Sequence, residues 1–447
     1  MENMKANAFD KNRCPLNIWI ISFFFPPDFG GSSSRSWNFA KSLQAKGHKI
    51  GVISSFPQYP YGKILDKRYK RKFLVIEEIE GIKVARFRLP PLPHRGFLNR
   101  MILFTYFLLL SVILKPYFRR FVGSPNLIYS HTPVIFSALI GYVYAKREKV
   151  PLAVDCHDLW PDVLNIMKSP LQSSLQFIGR ALGHFSFHKA DVITIWGVEA
   201  SKALSKIYNI PKERIHAVYT GVDTFFFKPL NKGVALDSLM EQSSNQEILK
   251  KFIVLYSGAI NRYYNFDLFI NVAEKLNNSD KVLFWVSGEG EEKERIVKIC
   301  ESKGLGNIQF CPYLPNQKMV SFRINLADLC IIPLRQDINS SVFDPYILEL
   351  PTKFFEYTSC GKPVLCIGQC EASNLIKEWN AGVVEDFGDV NNMAKIILNL
   401  SKNGVGIKVM GENARTLAEE LFSLKKTGEK LDNILCEMIN SRPKNYI

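Results

Sequence analysis

The sequence has no Cys-x-x-Cys pair among its nine cysteines (Cys14, Cys156, Cys300, Cys311, Cys330, Cys360, Cys366, Cys370 and Cys436) and no spacing typical of a zinc site. It shows no secretory signal, so the cysteines read as reduced thiols of a cytosolic protein. There is no excess of charge (22%), and Gly (27) and Pro (23) are ordinary totals beside 47% hydrophobic residues. These proportions exclude a disordered chain, a collagen and a polytopic membrane protein. What the first half lacks is acid. Up to Asp223 there are 31 Lys+Arg against 15 Asp+Glu, and beyond it 26 against 27, so the net charge of +15 over 447 residues sits in the first half. Such an asymmetry points to a polyanionic partner for that half. The length suggests two or three domains of ~100–200 residues each.

One segment chooses between a nucleic acid and a membrane surface. Residues 97–118 read FLNRMILFTYFLLLSVILKPYF, uncharged over the 14 residues from Met101 to Leu114. That run falls short of the ~20 residues that span a bilayer. Arg95 and Arg100 precede it, Lys115, Arg119 and Arg120 follow it, and Lys67, Arg68, Lys70, Arg71 and Lys72 form a basic cluster upstream. An apolar plug carrying Leu108, Leu109 and Leu110 inside a basic, aromatic collar suits shallow insertion among anionic headgroups. The bland alternative is a buried helix whose charged ends reach solvent. No nucleic-acid recognition motif accompanies the charge. The reading is a peripheral membrane protein.

Along the chain, LNIWIISFFF (16–25) ends at Pro26-Pro27 and reads as a fully buried parallel strand. A Gly-rich loop, a helix around Trp37–Leu43 and a strand at His48–Ser54 follow. Further strands are expected at Asn126–Ser130, Leu152–Cys156 and Asp191–Ile195, with an apolar helix over 134–146. The second half restarts with strands at Phe252–Ser257, Val282–Val286, Leu329–Pro333 and Pro363–Ile367, and a helix from Asp267 to about Asn277. This is an α/β chain of two doubly wound, Rossmann-like domains. The expected divisions are 1–224, a polar linker or disordered insertion at 225–250, 251–425, and a tail of amphipathic helix at 426–447. Ligands in such folds gather at the carboxyl ends of strands, so a cleft between the two domains is the expected site.

Three motifs occupy such ends. Gly30 and Gly31 lie between the first strand and its helix, where backbone can approach a ligand and helix N–H groups can face an anion. His157 follows the strand Leu152–Cys156, in Asp155-Cys156-His157-Asp158-Leu159-Trp160-Pro161; a half-buried histidine bonded to Asp158 is the ordinary alternative. In Leu350-Pro351-Thr352-Lys353-Phe354-Phe355-Glu356, Pro351 suits a first helical turn, leaving the N–H groups beside Thr352 open to phosphate with Lys353 as a cation. Glu356, one turn on, has the geometry to accept two hydrogen bonds from a ribose diol; a solvated surface carboxylate is the alternative.

The string LPTKFFEYTSCGKPVL resembles the nucleotide-sugar motif of family 4 retaining glycosyltransferases, in the branch that builds bacterial surface polysaccharides such as O-antigen, capsule and exopolysaccharide. FFFPPDFGGSSSRSWNFAKSLQAKGHKIGVIS resembles the acceptor-side loop, and DCHDLWPDVL the stretch with a His or Arg before Asp-Leu-Trp-Pro. YTGVDTFFFKP resembles the interdomain joint and YSGAINRYYNFDLFI the first turn of the donor domain, with VSGEGEEKERI, FCPYLPNQKM and WNAGVV also in order. The resemblance spans about residues 16 to 430. It implies the GT-B fold and retaining transfer of a hexosyl or N-acetylhexosaminyl group from a nucleotide-sugar, a UDP-sugar being favoured, to a lipid-linked saccharide at the cytoplasmic face of the inner membrane. It implies no metal and no cofactor beyond the nucleotide-sugar co-substrate, and no nucleic-acid partner. Gly30, Gly31, Gly258, Arg262, Thr352, Lys353 and Glu356 would bind the donor, and His157 and Glu356 would carry the chemistry. Front-face attack is the expected route, with the departing phosphate taking the proton and His157 contacting the sugar.

The pattern also departs from the family. The first glutamate of the usual pair is replaced by Leu348, with Glu349 one residue out of register. Ala259 and Tyr264 stand where Arg and Lys usually meet the diphosphate, leaving Arg262 or Lys353 to supply the charge. Competing readings are a nucleotide-sugar 2-epimerase on the same scaffold, for which the apolar plug would be superfluous, and a non-catalytic membrane scaffold, which would need none of these motifs.

Overall fold

The computed structural model of the protein describes residues 15–441 apart from 29, 60–61, 65, 95, 133–134, 158, 160–171, 240–245, 313, 315, 336–349 and 387. It divides into two compact units, Met1–Thr194 with Leu431–Ile447, and Ile195–Lys430. The sequence reading puts the joint near 225–250; in the structure residues 195–224 group with the second unit. One reason is Glu371, buried in that unit, whose carboxylate accepts the N–H groups of Val198 (2.7 Å) and Glu199 (3.2 Å) at the head of helix Val198–Tyr208. The polar stretch after 225 is not wholly linker. Asn231 caps a short helix, Lys232–Ser238, by accepting from Gly233 N–H at 2.8 Å, and the helix buries Ala235 and Leu236.

The first sheet comprises β1 (Asn17–Ser22), β2 (Lys49–Ser55), β3 (Leu74–Ile79), β4 (Ile82–Phe87), β5 (Leu127–Thr132), β6 (Leu152–Cys156), β7 (Val192–Ile195) and β8 (Ile215–Ala217), in the order β3-β4-β2-β1-β5-β6-β7-β8. The second comprises β9 (Phe252–Ser257), β10 (Val282–Ser287), β11 (Ile308–Cys311), β12 (Leu329–Pro333), β13 (Val364–Ile367) and β14 (Gly382–Glu385), in the order β11-β10-β9-β12-β13-β14. From β4 to β7, and from β11 to β14, the order is that of a doubly wound α/β sheet, with its switch point between β1 and β5 or between β9 and β12. The strands are apolar without alternation because helices cover both faces; β1, β5 and β6 are buried almost throughout. The exception is β3, antiparallel to β4 at the sheet edge, whose half-buried and exposed residues alternate.

Three helices position the first unit's features: α1 (Gly31–Ala45), α2 (Phe97–Val122) and α3 (Ile135–Glu148). The apolar run read as a 14-residue plug belongs to the 26-residue α2, which is ~39 Å long at 1.5 Å per residue. By length and composition alone α2 is apolar enough to cross a membrane. Its buried row (Leu103, Phe107, Ser111, Phe118 and Val122) nevertheless lies on the sheet, with Phe107 and Phe118 stacked on Phe87 of β4 at 5.3 and 6.2 Å between ring centroids. Its last turn approaches β2 so closely that a Cβ on Gly51 would meet Val122 Cγ1 at 2.5 Å.

That close approach makes a stability prediction. Gly51→Ala forces Val122 away and lowers unfolding free energy by ~1–3 kcal/mol, measured by urea titration. Adding Val122→Ala makes room, so the double variant loses less than the sum of the singles; strict additivity would refute the contact.

Candidate active site

In the first unit the functional end of the sheet is built around Asp155, the fourth residue of β6 and fully buried. Arg35, from α1 and also buried, grips it with both forks: Nε donates to Oδ2 at 2.8 Å and Nη2 to Oδ1 at 2.7 Å. Thr194 Oγ1 donates to Oδ1 at 2.6 Å from β7. Burial works to raise the carboxyl, but the Arg35 guanidinium, followed by His157, outweighs it and holds the acid well below the usual carboxylate range. His157, one residue past β6, places Nε2 at 2.7 Å from Asp155 Oδ2, with its side chain 3% exposed. That contact is close but not aligned as a linear hydrogen bond. The ordinary reading paired His157 with Asp158, which lies outside the described residues; the carboxylate in contact is Asp155.

His131, at the end of β5, completes the cluster. Its Nδ1 lies 3.0 Å from Ser36 Oγ and 3.8 Å from Asp155 Oδ2, and its ring centroid is 5.3 Å from that of His157. Burial, opposed by the Asp155 charge, lowers the imidazole to about 3, so it is neutral. His131, Asp155 and His157 have ligand atoms within 4.8 Å of one another, close enough to hold a metal ion. The guanidinium of Arg35 already bonds both carboxylate oxygens, however, and a second cation there would be repelled. Gly30 and Gly31 are exposed at the head of α1, whose first turn carries no acidic residue. The loop before them is tied down by Asp28, whose Oδ1 accepts the N–H groups of Gln58 and Tyr59 at 3.1 and 3.2 Å.

In the second unit the corresponding end is the turn after β9. Gly258 N–H donates to Ser287 O at 2.9 Å and Ile260 N–H to Glu289 O at 2.9 Å, laying the turn against residues 288–290. A Cβ on Gly288 would stand 1.9 Å from Gly258 O, so this approach admits glycine alone. Helix Thr352–Ser359 starts beside it with Pro351 as N-cap and no acidic residue in its first turn. Tyr357 locks the helix to β9, its hydroxyl accepting from Ser257 N–H at 2.7 Å and donating to Ser257 O at 3.0 Å.

Lys353 is 6% exposed, and its stem fills the space above Gly258, where a Cβ would meet Cε at 2.7 Å. Nζ donates to Tyr256 Oη at 2.8 Å and stands 3.4 Å from the centroid of Tyr264 and 4.2 Å from that of Tyr256. Glu356 sits one turn on in a recess. Part of its surface reaches solvent, yet burial pushes the carboxyl up to about 7 against the pull of Lys353. Among the described residues its carboxylate accepts no hydrogen bond.

The structure therefore brings Gly258, Thr352, Lys353 and Glu356 together. It sets Arg262 apart as a 68% exposed side chain paired with exposed Glu291 at 3.0 Å. Sequence reasoning overlooked Arg35 and Asp155. The signal was a basic residue four after the Gly-Gly pair and an acid two before His157, but their partnership spans 120 residues. That reasoning placed Tyr264 at the position of the expected lysine but missed that the ring caps Lys353 there, 3.4 Å from Nζ to the ring centroid.

The model for family 4 glycosyltransferases matches residues 29–225 and that for group 1 glycosyl transferases matches 240–417. Together they cover most of the chain, which carries a family 4 glycosyltransferase domain followed by a group 1 glycosyl transferase domain and has the GT-B fold. A curated relative is the putative colanic acid biosynthesis glycosyl transferase WcaI of Escherichia coli, 23% identical over 66% of this chain and 72% of its own. Among solved structures, sucrose-phosphate synthase from Thermosynechococcus elongatus aligns with TM-score 0.73 at 16% identity, over 96% of this chain and 100% of that one. Anabaena HepE in complex with UDP aligns with TM-score 0.67 at 14% identity, over 94% and 99%.

The raised Glu356 carboxyl has a measurable consequence. Unfolded, it ionises near 4.5; folded, near 7. Between those values the folded chain retains a proton the unfolded chain has lost, so stability falls as pH rises through the window and the penalty is complete above 7. Glu356→Gln removes it, and the variant gains ~1–3 kcal/mol over wild type at pH 8, taking ~1.4 kcal/mol per pKa unit and discounting for partial exposure. The gain vanishes by pH 4.5. Denaturant titrations at the two pH values check both.

Proposed function

We propose that the protein transfers a hexosyl or N-acetylhexosaminyl group, with retention, from a UDP-linked sugar to a lipid-linked saccharide during synthesis of a bacterial surface polysaccharide. It would act while docked on the anionic cytoplasmic face of the inner membrane. The observation that carries the donor half is the set of Gly258, Lys353 and Glu356 around one helix N-terminus. Lys353 and the first-turn N–H groups of helix Thr352–Ser359 would meet the diphosphate, and the Glu356 carboxylate the ribose hydroxyls. The UDP complex of HepE and the colanic acid name of WcaI support the donor class and the pathway class.

In the reaction the acceptor hydroxyl attacks C1 on the face from which the diphosphate departs. The new C1–O bond forms as the C1–O–phosphate bond breaks, and the hydroxyl proton passes to the leaving phosphate oxygen. Lys353 would stabilise the charge growing on that oxygen, and His157 would contact the sugar. Neither role requires a metal or a further cofactor.

Incubation with a panel of nucleotide-sugars and polyprenyl-diphosphate-linked saccharides, read by mass spectrometry, tests this reading. A single glycosidic product is expected, with Glu356→Ala weakening UDP binding in calorimetry and His157→Ala lowering turnover more than donor affinity. C2 inversion of the free donor, or hydrolysis alone, would overturn it.

For membrane docking, the sequence singled out Leu108, Leu109 and Leu110, of which Leu109 is exposed and the other two are half-buried. The outward face of α2 is instead the stripe Leu98, Ile102, Tyr106, Leu109, Ile113 and Tyr117, spaced by three or four residues, with Leu98 at 70% and Ile113 at 67% exposure. Of the flanking cations, Arg119 and Arg120 are exposed; Lys115 is half-buried against Glu148, which Arg119 also meets at 3.5 Å. Wild type should sediment with anionic vesicles, less so in moderate salt because the charge contribution is screened. Ile102→Ser, Leu109→Ser and Ile113→Ser together should release it, with unchanged unfolding midpoint and UDP binding. Undiminished sedimentation of that variant would overturn the docking face.

A further inference from the structure

We infer that Asp155 is a positioning residue that holds the His157 imidazole as its Nε2–H tautomer, with Arg35 and Thr194 fixing the carboxylate that does so. The inference rests on the proposed reading in one respect, that His157 meets the sugar. The geometry on which it stands does not depend on that reading.

Asp155 is an ionised carboxylate, since two guanidinium N–H groups and the Thr194 hydroxyl all donate to it. An ionised carboxylate only accepts. His157 Nε2 stands 2.7 Å from Oδ2 without a linear alignment, and at that distance the negative oxygen favours a ring nitrogen that carries a proton over one that presents a lone pair. The proton is thereby assigned to Nε2, the buried nitrogen of His157. Nδ1 is left as the nitrogen with which the ring can meet a substrate hydroxyl, as an acceptor when the ring is neutral. Among the described residues, the other groups facing the ring do not compete for this role. His131 is neutral and its Nδ1 is engaged with Ser36, and Arg35 can only donate.

The arrangement also limits movement. Asp155 Oδ2 accepts from Arg35 and lies against His157, while Oδ1 accepts from Arg35 and Thr194, so the carboxylate cannot rotate without breaking bonds to α1 and β7. Thr194 is held in turn by Tyr129 Oη at 2.6 Å. A histidine aimed by a buried, doubly anchored acid is preorganised, and preorganised groups act on turnover more than on ground-state binding.

The test is side-chain proton–nitrogen correlation spectroscopy of the full chain labelled at histidine nitrogen, at pH 8, with His157→Gln assigning the signal among the seven histidines. The expected spectrum of His157 is that of the Nε2–H tautomer. Asp155→Asn, which keeps the shape but can present an N–H, should shift the ring toward Nδ1–H. It should also lower turnover 10- to 100-fold with UDP affinity within twofold of wild type. Thr194→Val, which leaves the Arg35 fork in place, should keep the tautomer and cost less than fivefold in turnover. An Nδ1–H signal in wild type, an unchanged tautomer in Asp155→Asn, or wild-type turnover in that variant would each overturn the inference. Should Asp155→Asn fail to fold, the wild-type spectrum and Thr194→Val still decide it. If no donor supports transfer, the proposed function falls while the tautomer assignment is judged on the spectrum alone.

Discussion

The ion pair between Arg35 and Asp155 sets the terms for the first unit's functional end. A lone carboxylate at the closed end of a parallel sheet would cost several kcal/mol in lost hydration, and chains avoid that by pairing or neutralising it. Here the pairing is geometric as well as electrostatic. Arg35 offers a planar fork that matches the two oxygens, which the point charge of a lysine would not do. Because Arg35 stands in α1, the bond fixes the helix that begins at Gly31, and because Asp155 is the penultimate residue of β6, it fixes the approach to His157. Removing either partner would leave the other's charge buried without its main counter-ion, a loss of ~3–5 kcal/mol by comparison with other buried pairs.

The second unit solves a related problem by other means. Lys353 is almost as buried as Arg35, and its ammonium is held by a phenol oxygen and two aromatic faces. A cation over a desolvated aromatic face gains ~2 kcal/mol, so Tyr256 and Tyr264 stabilise the charge at the point where the glycine turn leaves room for its stem. This gives Tyr264 a reason to stand where a second cation might have been expected, since two ammonium groups in that space would repel. Arg262, the alternative cation, is spread into solvent beside Glu291, where screening leaves such a pair little energetic effect.

What was legible in the sequence was whatever local patterning encodes. β6, β9 and β12 coincide with the expected strands because apolar runs bounded by Gly, Pro or Asp read unambiguously. Lys353 and Glu356 are on one helical turn, so their partnership needed only a period of 3.6. The β3–β4 hairpin escaped notice because β3 is a half-exposed edge and Lys83 and Arg86 interrupt the apolar run of the largely buried β4, and the helix Lys232–Ser238 because polar composition masked its Asn231 cap. The Arg35–Asp155 pair escaped for a different reason: no local rule connects residues 120 positions apart, and the folded sheet alone brings them together.

The helix α2 shows how far composition reaches before geometry must take over. Hydropathy offers two readings of 97–118, a core helix or an interfacial one, as though they were exclusive. In the structure the buried row 103, 107, 111, 118 and 122 and the exposed stripe 98, 102, 106, 109, 113 and 117 run along different faces of one helix. A helix apolar on both faces has a weak amphipathic signature, because the apolar residues on opposite sides cancel, and that is why periodicity could not decide. Core packing needs only the first row. The second is a contiguous apolar patch on the more basic half of the chain, and exposed patches of that kind mark interaction surfaces rather than ordinary solvent-facing helix. Tyr106 and Tyr117 lie within the stripe, and Arg119 and Arg120 are exposed at its end, the composition on which the proposed docking face rests. The same helix thus serves stability through one face and leaves an apolar stripe exposed on the other, the face proposed above to meet a lipid surface.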